Sequence, residues 1–272
     1  MDDVGLKALA DQLVEVPGVV AVVLGGSRAR GTHRPDSDID LGLYYRGALD
    51  VAALRTLAVE LGGEGTEVTA PGGWGPWVNG GGWLTIDGWR VDWIYRDLDR
   101  VHRIWDDCQE GRYEIGVQAG HPLGFYSHAY AGEVALCRVL ADPRGDLADL
   151  RERTGAYPAA LGAALVEGLW EADFAVQLAR YGAVGTDPAY AAGCLFRAVG
   201  VACQALHGHA GQWLINEKGM VASAGRLSAS PQDFAVRAQR LLGDIGESTR
   251  QIEETVADAA ALVGEVKTAV GR

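Results

Sequence analysis

Cysteine and histidine are scarce in this chain of 272 residues, which has four cysteines and six histidines. The cysteines form no Cys-x-x-Cys pair and do not stand at the spacing of zinc ligands; they are Cys108, Cys137, Cys194 and Cys203. A disulfide framework and a structural zinc site are therefore both unexpected. Reduced, buried thiols are typical of a cytoplasmic protein, and we predict that location.

Long hydrophobic runs are also missing. The longest one, Val19–Leu24, is far shorter than the ~20 residues that a membrane-spanning helix needs. The N-terminal segment is acidic and amphipathic, unlike a signal peptide or a transit peptide. We therefore expect no membrane partner.

Basic residues are in deficit as well. The chain has 24 Lys and Arg against 36 Asp and Glu, which gives a net charge of −12. Proteins that bind nucleic acid normally present a basic face, because the neutralisation of phosphates dominates their affinity. Nucleic acid is thus not an expected partner. The acidic balance either attracts a small cationic substrate or only keeps the protein soluble, and composition does not decide between the two.

The first half of the chain mixes strand and helix signals. Helices are predicted at Val4–Val14, Leu49–Leu61 and Leu98–Glu110, and strands at Val19–Leu24, Asp38–Tyr45, Trp83–Ile86 and Trp89–Tyr95. The last two strands are expected to pair as a hairpin, because the Asp87-Gly88 between them favours a type I′ turn.

From about residue 155 the chain is rich in alanine, helical in its period and without strand signals. Helices are predicted at Ala159–Tyr181, Ala189–Leu206, Pro231–Leu242 and Gly246–Val270. We therefore predict an α+β fold, in which a domain with a small mixed sheet over residues 1–150 is followed by an all-α helical bundle domain over residues 151–272. The first two of these helices are apolar enough that they could form the interface of a homodimer.

Two carboxylates open the second predicted strand. Asp38 and Asp40 stand two residues apart, so their side chains share one face of the strand and lie roughly 7 Å apart. That separation suits a pair of divalent ions about 4 Å from each other. Ligand sets made only of oxygen favour Mg²⁺, which also takes phosphate oxygens. Taken alone, Asp36-Ser37-Asp38 could instead be a turn with an Asx cap.

A glycine-rich turn follows the first predicted strand. Its glycines let backbone N–H groups approach a phosphate closely, and Ser27 adds a hydroxyl donor. Arg28 and Arg30 come next; each could bind phosphate through a bidentate guanidinium or be a solvated arginine. The turn fits neither a P-loop, since Thr32 stands where lysine is required, nor a nucleophile elbow, since Ala29 stands where the second glycine belongs.

Together these residues resemble the DNA polymerase β-type nucleotidyltransferase superfamily. Its signature is a Gly-Ser followed some ten residues later by Asp-x-Asp, and here ten residues separate Gly26-Ser27 from Asp38 and Asp40. In proteins of this superfamily, a later strand supplies a third carboxylate to the site. Asp92 is the best match, because an isolated acid in an apolar strand is otherwise costly, although an acid on an exposed strand edge is the alternative.

The resemblance implies a role for each of these positions. Asp38, Asp40 and Asp92 would be catalytic and would hold two Mg²⁺ ions, while Gly26-Ser27 would bind the NTP together with Arg28 or Arg30. Several members of the superfamily also use a lysine from their second domain on the β- or γ-phosphate. Lys218, in a polar insertion of the helical region, is the candidate here; a plain loop lysine is the alternative.

The predicted layout is most similar to that of the antibiotic nucleotidyltransferases, which adenylylate aminoglycosides or lincosamides and so cause antibiotic resistance. This resemblance implies a nucleotidyltransferase catalytic domain over residues 1–150. The implied reaction transfers an NMP, with ATP as the favoured donor, to a hydroxyl of a small cationic acceptor and releases pyrophosphate. Two alternatives stay open, namely an antitoxin-like protein adenylyltransferase and a nucleotide-binding regulatory module without catalysis.

Two features are candidates for contact with the acceptor. Glu167, Glu171 and Asp173 are expected on one helix, and Glu167 and Glu171 are four residues apart, which predicts one shared side. A solvated helix face is the alternative. The tryptophan-containing loop from Trp74 to Trp83 could stack on a base or a sugar ring as a mobile lid, or could be a packed loop.

Overall fold

The structure, a computed structural model, describes every residue from Met1 to Arg272. The chain forms two compact units. The first contains Met1–Asp106 and Glu114–Ala156, and the second contains Asp107–Tyr113 and Tyr157–Arg272.

The first unit is built on a mixed β-sheet. Its strands are β1 (Val19–Leu24), β2 (Ile39–Tyr45), β3 (Gly81–Ile86), β4 (Trp89–Asp97), β5 (Ile115–Gly116), β6 (Phe125–Tyr126) and β7 (Arg138–Ala141). The helices that begin in this unit are α1 (Asp3–Val14), α2 (Gly26–Ala29), α3 (Val51–Gly62), α4 (Leu98–Gln109), α5 (Ala129–Leu136) and α6 (Ala148–Thr154). Five strands form one sheet in the order β3-β4-β2-β1-β7, in which only the β2–β4 pair is parallel. Strands β5 and β6 pair separately.

The two faces of the β3–β4 hairpin differ in burial. Leu84 and Ile86 of β3 and Val91 of β4 are buried in the core, which they share with apolar residues of α1 and α3. The alternate residues Trp83 and Thr85 are exposed, as the two-residue period of a strand requires. This part of the sheet therefore has one core face and one open face.

The hairpin has the predicted turn. Asp87 and Gly88 both have positive φ angles, 50° and 78°, as a type I′ turn requires. With this turn, Trp83 of β3 lies opposite Asp92 of β4. The predicted hairpin is confirmed, and it fixes which residues share the open face.

The second unit is all-α. Its helices are α7 (Ala159–Glu167), α8 (Trp170–Gly185), α9 (Pro188–Ala210), α10 (Met220–Ala224), α11 (Phe234–Gly243) and α12 (Thr249–Ala269). Helix α9 is long and apolar enough to cross a membrane by length and composition alone, but 61% of its most apolar window is buried. It packs against α7, α8 and α12 as the core helix of this unit. The predicted fold class, a mixed-sheet α+β region followed by helices, is confirmed.

The prediction of one helix over Ala159–Tyr181 is wrong, because this segment forms α7 and α8. Gly168, a weak helix former, follows the last residue of α7. The amides of Leu169 and Glu171 then bond to carbonyls three residues back instead of four, which tightens the chain into a turn. The turn brings Leu169 into the core, where it is 1% exposed.

The shared acidic face predicted for Glu167 and Glu171 is therefore absent. Glu167 ends α7 and lies 3.2 Å from an Arg272 nitrogen, whereas Glu171 belongs to α8 and is paired with Arg197 at 2.5 Å. Asp173 is likewise paired with a lysine. Because each acid has a basic partner within this unit, these residues give no support to the predicted contact with an acceptor.

Candidate active site

A tight turn carries the chain out of β1 and against strand β2. The Gly25 amide donates to the Asp40 carbonyl oxygen at 2.8 Å. Gly26 follows with a φ of +60°, and a Cβ at this position would lie 1.8 Å from Asp40 Oδ2. Glycine alone satisfies both the backbone angle and the close carboxylate. Ser27, which is half-buried, comes next in α2.

Asp40 and Asp92 lie side by side on neighbouring strands. They are paired in the parallel β2–β4 ladder, so both side chains leave the same face of the sheet, with the two strands about 5 Å apart. Asp38 stands two residues before Asp40 and directly before β2. The register of the sheet thus brings Asp40 and Asp92 together, and Asp38 stands directly before the same strand.

The carboxyl group of Asp92 is strongly perturbed. Burial, followed by the negative charges of Asp40 and Asp38, raises its pKa to about 6, and the nearby Arg90 offsets part of this rise. A carboxyl group with such a pKa can exchange a proton close to neutral pH. Strong perturbation by burial and by like charges is also typical of functional sites.

The stability of the metal-free protein is expected to depend on pH through Asp92. Its pKa is about 6 in the folded protein against an ordinary value of 3.8, so between these values the folded state binds more protons than the unfolded state. The free energy of unfolding then falls as the pH rises from about 4 to about 6. Asp92→Asn removes this contribution. In EDTA, the melting temperature of Asp92→Asn relative to wild type should rise across this range; a constant difference would contradict the raised pKa.

Arg90 is the cationic neighbour of the carboxylates. Its Nε lies 2.5 Å from Asp38 Oδ1, and its Nη2 donates a hydrogen bond of 2.6 Å to the Asp36 carbonyl oxygen. Arg90 stands on β4 two residues before Asp92, so the two side chains share the open face of the strand. The arginine therefore compensates part of the negative charge at this site.

Arg28 contacts the backbone just before β2. Its Nε donates to the carbonyl oxygens of Ser37 and Asp38, both at 3.1 Å, and its Nη2 donates to Ser37 at 2.7 Å. The guanidinium also lies over the Trp89 ring, 5.3 Å from its centroid. This arrangement positions the residue that carries one of the three carboxylates. The predicted contact of Arg28 with an NTP stays a prediction.

Arg28→Lys separates these two roles. Lysine keeps the positive charge but lacks the planar fork that holds two carbonyl oxygens and stacks on an indole. If Arg28 positions Asp38, kcat should fall about tenfold, which corresponds to about 1.4 kcal/mol, while the Kd for NTP should stay within twofold. Calorimetry and steady-state kinetics measure the two quantities. A weakened NTP affinity at unchanged kcat would show a phosphate contact instead, and Arg34→Lys, in an exposed ion pair, is the matched control.

Arg30 and Lys218 lie in different surroundings. Arg30 is exposed, and its Nε donates to the Gly26 carbonyl oxygen at 3.1 Å. Lys218 belongs to the second unit, where it is exposed in the segment between α9 and α10. Its amide donates to the Asn216 side chain at 2.7 Å. The predicted contacts of Arg30 and Lys218 with an NTP stay predictions.

The carboxylates fit a divalent cation by donor type and by strand register. Asp40 and Asp92 supply hard oxygen ligands side by side, and these suit Mg²⁺. The structure shows no group of three or more Asp, Glu, His or Cys side chains already gathered around one point. Asp38 is instead paired with Arg90. Metal binding by all three acids would therefore require Asp38 to exchange Arg90 for the cation.

Two residues of the open face were not placed beside the carboxylates by the sequence analysis. Arg90 was not considered. Trp83 was predicted to begin a strand and to belong to a loop that could stack on a base or a sugar ring, and the structure pairs it directly with Asp92. The signal for both was present in the predicted hairpin. A turn at Asp87-Gly88 places Trp83 opposite Asp92, and the two-residue period places Arg90 beside Asp92.

The first unit is similar to a known protein family over part of its length. Residues 6–67 match the family model described as a nucleotidyltransferase domain. The matched segment contains the Gly26 turn, Asp38 and Asp40 and ends before Asp92. This match supports a general nucleotidyl-transfer activity. Proteins of this family generally use a divalent metal ion.

A solved structure is also similar. It is a nucleotidyltransferase-like protein from Exiguobacterium sibiricum, with 11% sequence identity and a TM-score of 0.48 over 99% of this chain and 77% of that chain. A search of curated proteins finds no match.

Proposed function

We propose that the protein transfers a nucleoside monophosphate from an NTP, with ATP as the favoured donor, to a hydroxyl group of a small cationic acceptor. The observation that carries this proposal is the pairing of Asp40 with Asp92 beside the Gly26 turn. Strand register thereby joins a turn suited to phosphate with carboxylates suited to a divalent cation.

The reaction is an in-line displacement at the α-phosphorus. The acceptor oxygen forms a bond to phosphorus while the bond between phosphorus and the pyrophosphate oxygen breaks. Asp92, which leaves the same face of the sheet as Asp40, accepts the proton of the attacking hydroxyl. Amides of the Gly26 turn and the Ser27 hydroxyl bind the departing phosphates. Arg28 holds the backbone before β2, so that Asp38 and Asp40 keep their positions.

Asp38, Asp40 and Asp92 are the residues that would hold Mg²⁺, two ions in the proposed reaction. When bound, the metal supplies positive charge that stabilises the charge developing on the transferred phosphate. The crowding that raises the pKa of Asp92 supports this assignment, because a cation relieves repulsion between carboxylates. Binding of Mg²⁺ to these carboxylates can be measured without turnover. The measurement compares the shift of melting temperature that Mg²⁺ causes in wild type with the shift that it causes in Asp92→Asn.

The proposed acceptor is a small cation, such as an aminoglycoside antibiotic. The net charge of −12 favours cationic over anionic partners, so nucleic acid is not proposed as a substrate. Modification of an antibiotic would cause resistance. An antitoxin-like reaction on a protein acceptor, or nucleotide binding without catalysis, would each give a different result in the experiment below.

The deciding experiment uses the purified protein with ATP labelled at the α-phosphate, Mg²⁺, and a panel of aminoglycosides, lincosamides and cell-extract proteins. Mass spectrometry then identifies which molecule gains the mass of one AMP. A gain on a cationic small molecule is the expected result. A gain on a protein alone would replace the proposed acceptor, and ATP binding without any transfer would indicate a regulatory module.

Two further proposals concern the setting of the protein. All four cysteines are free thiols, which supports a reducing compartment such as the cytoplasm. A homodimer is proposed because α8 exposes large apolar side chains, among them Trp170, Phe174 and Tyr181. Exposed apolar patches often mark contacts between proteins, and light scattering would measure the mass in solution.

A further inference from the structure

The open face of the sheet continues beyond the carboxylates onto the edge strand β3. Trp83 is paired with Asp92, and Asp92 is paired with Asp40. Directly paired residues point to the same face, so Asp40, Asp92 and Trp83 form one row across three strands. Trp83 is 71% exposed, whereas a tryptophan of a folded protein is usually well buried. An indole thus stands in the open, one strand away from the carboxylate proposed to accept the proton.

A second indole holds Trp83 in place. The rings of Trp74 and Trp83 are stacked, with centroids 4.5 Å apart and an interplanar angle of 19°. Trp74 reaches this position by crossing Gly81, where a Cβ would lie 2.9 Å from its Cζ3 atom. The Trp93 carbonyl oxygen would lie still closer to such a Cβ, so the paired backbone alone requires a glycine here, and this glycine also leaves room for Trp74. The two stacked rings, which we name the Trp74–Trp83 pair, form a pre-organised aromatic surface.

A cavity of about 440 Å³ opens beside this pair, a volume within the range of small-molecule sites. Its wall also contains two exposed acids, Glu64 and Glu67, and no Lys, Arg or His. The remaining lining residues are small: Gly62, Gly65, Thr66, Thr69, Gly81, Gly82 and Thr85. The cavity thus combines an aromatic wall with negative charge and open space.

The order of residues along this row indicates which end faces the departing pyrophosphate and which end faces the acceptor. The Gly26 turn lies against Asp40, at the end away from Trp83. In an in-line displacement the attacking oxygen and the departing pyrophosphate stand on opposite sides of the phosphorus. If the phosphates leave toward Gly26, the acceptor must approach from the side of Asp92 that faces Trp83. The nucleoside stays attached to the phosphorus through its O5′ and extends to one side of this axis.

We propose that the Trp74–Trp83 pair is the acceptor-binding surface and that its ligand is a cationic amino sugar; this inference rests on the proposed function. The apolar C–H face of a sugar ring stacks on an indole, and an ammonium group is attracted both by the indole face and by carboxylates. Glu64 and Glu67 supply the carboxylates. The exposed indole binds the ring and sets a hydroxyl toward Asp92.

Trp83→Ala tests this proposal, with neomycin as the amino-sugar probe, ATP as the nucleotide and calorimetry as the measurement. The variant should weaken neomycin binding at least tenfold and leave the Kd for ATP within twofold. Trp83→Phe, which keeps an aromatic face, should recover part of the affinity. Glu64→Gln combined with Glu67→Gln should weaken neomycin and reduce the effect of added salt on its binding. Val236→Ala, which shortens an apolar side chain on α11 that is 70% exposed, is the control and should change neither affinity.

The outcomes separate this inference from the proposed function. If wild type transfers AMP to neomycin and Trp83→Ala binds neomycin equally well, the Trp74–Trp83 pair is not the acceptor-binding surface. The proposed function would then remain intact. A weakened Kd for ATP in Trp83→Ala, at unchanged neomycin affinity, would assign the Trp74–Trp83 pair to the nucleobase and would also overturn the acceptor-binding surface. Wild type that binds ATP but not neomycin would exclude the amino-sugar class. Wild type that does not bind ATP would remove the proposed function itself.

Discussion

Asp40→Asn is expected to abolish nucleotidyl transfer while the fold stays intact. A carboxylate that helps to hold the catalytic cation is worth several kcal/mol to the transition state, and each 1.36 kcal/mol is a factor of ten in rate. We therefore expect kcat/KM to fall by roughly 10³-fold or more. Asp40 also raises the pKa of Asp92 by repulsion, so the variant should melt no lower than wild type in EDTA. Labelled ATP and calorimetry give both quantities.

Asp36→Asn is the matched control for this variant. Asp36 lies in the same segment, but its side chain is exposed and paired with the equally exposed Arg34, and such surface pairs contribute little. Transfer by Asp36→Asn should stay within twofold of wild type. Retention of near-normal turnover by Asp40→Asn would remove Asp40 from the catalytic site, and equal losses in both variants would point to damage of the loop.

Local signals in the sequence were sufficient to predict the strands around the site. The dense β-branched run of β1 and the Asp87-Gly88 turn each follow from a few neighbouring residues. The turn even fixes the pairing of Trp83 with Asp92. These features are predictable because short-range geometry alone determines them.

The parallel pairing of Asp40 with Asp92 could not be derived in the same way. The two strands are separated in the chain by α3, a long connection and β3, and local patterns do not specify the register between distant strands. Only the resemblance to a known family suggested that Asp92 joins the site. The helix break at Gly168 was missed for a related reason, because alanine-rich flanks give a continuous helical period while the burial of Leu169 depends on tertiary packing.

The contacts of the two arginines next to the carboxylates were equally inaccessible. Arg28 was interpreted as a phosphate ligand or a solvated side chain, but its fork binds the carbonyl oxygens of Ser37 and Asp38. Arg90 pairs with Asp38 across two strands. Long, flexible side chains choose their partners after the backbone is placed, so sequence spacing does not predict these contacts.

Gly26→Ala is expected to cause the second large loss of activity. Gly26 has a φ of +60°, and a Cβ there would lie 1.8 Å from Asp40 Oδ2. The alanine must therefore push the Asp40 carboxylate away from its place beside Asp92, or the turn must move. A displacement of about 1 Å at a reacting centre can cost about 10² in rate, so we expect kcat to fall at least a hundredfold.

Gly31→Ala separates the effect of backbone strain from that of the steric clash. Gly31 has nearly the same angle, a φ of +66°, but a Cβ there would meet nothing within 4 Å. Both variants carry the cost of an L-residue in the left-handed region, about 1–2 kcal/mol. Gly31→Ala should therefore lower the melting temperature by a few degrees and keep most of the activity. If Gly31→Ala loses as much activity as Gly26→Ala, strain in the loop is sufficient to explain both. If only Gly26→Ala is inactive, and Asp40→Asn in the same background causes no further loss, the glycine acts by leaving room for the Asp40 carboxylate.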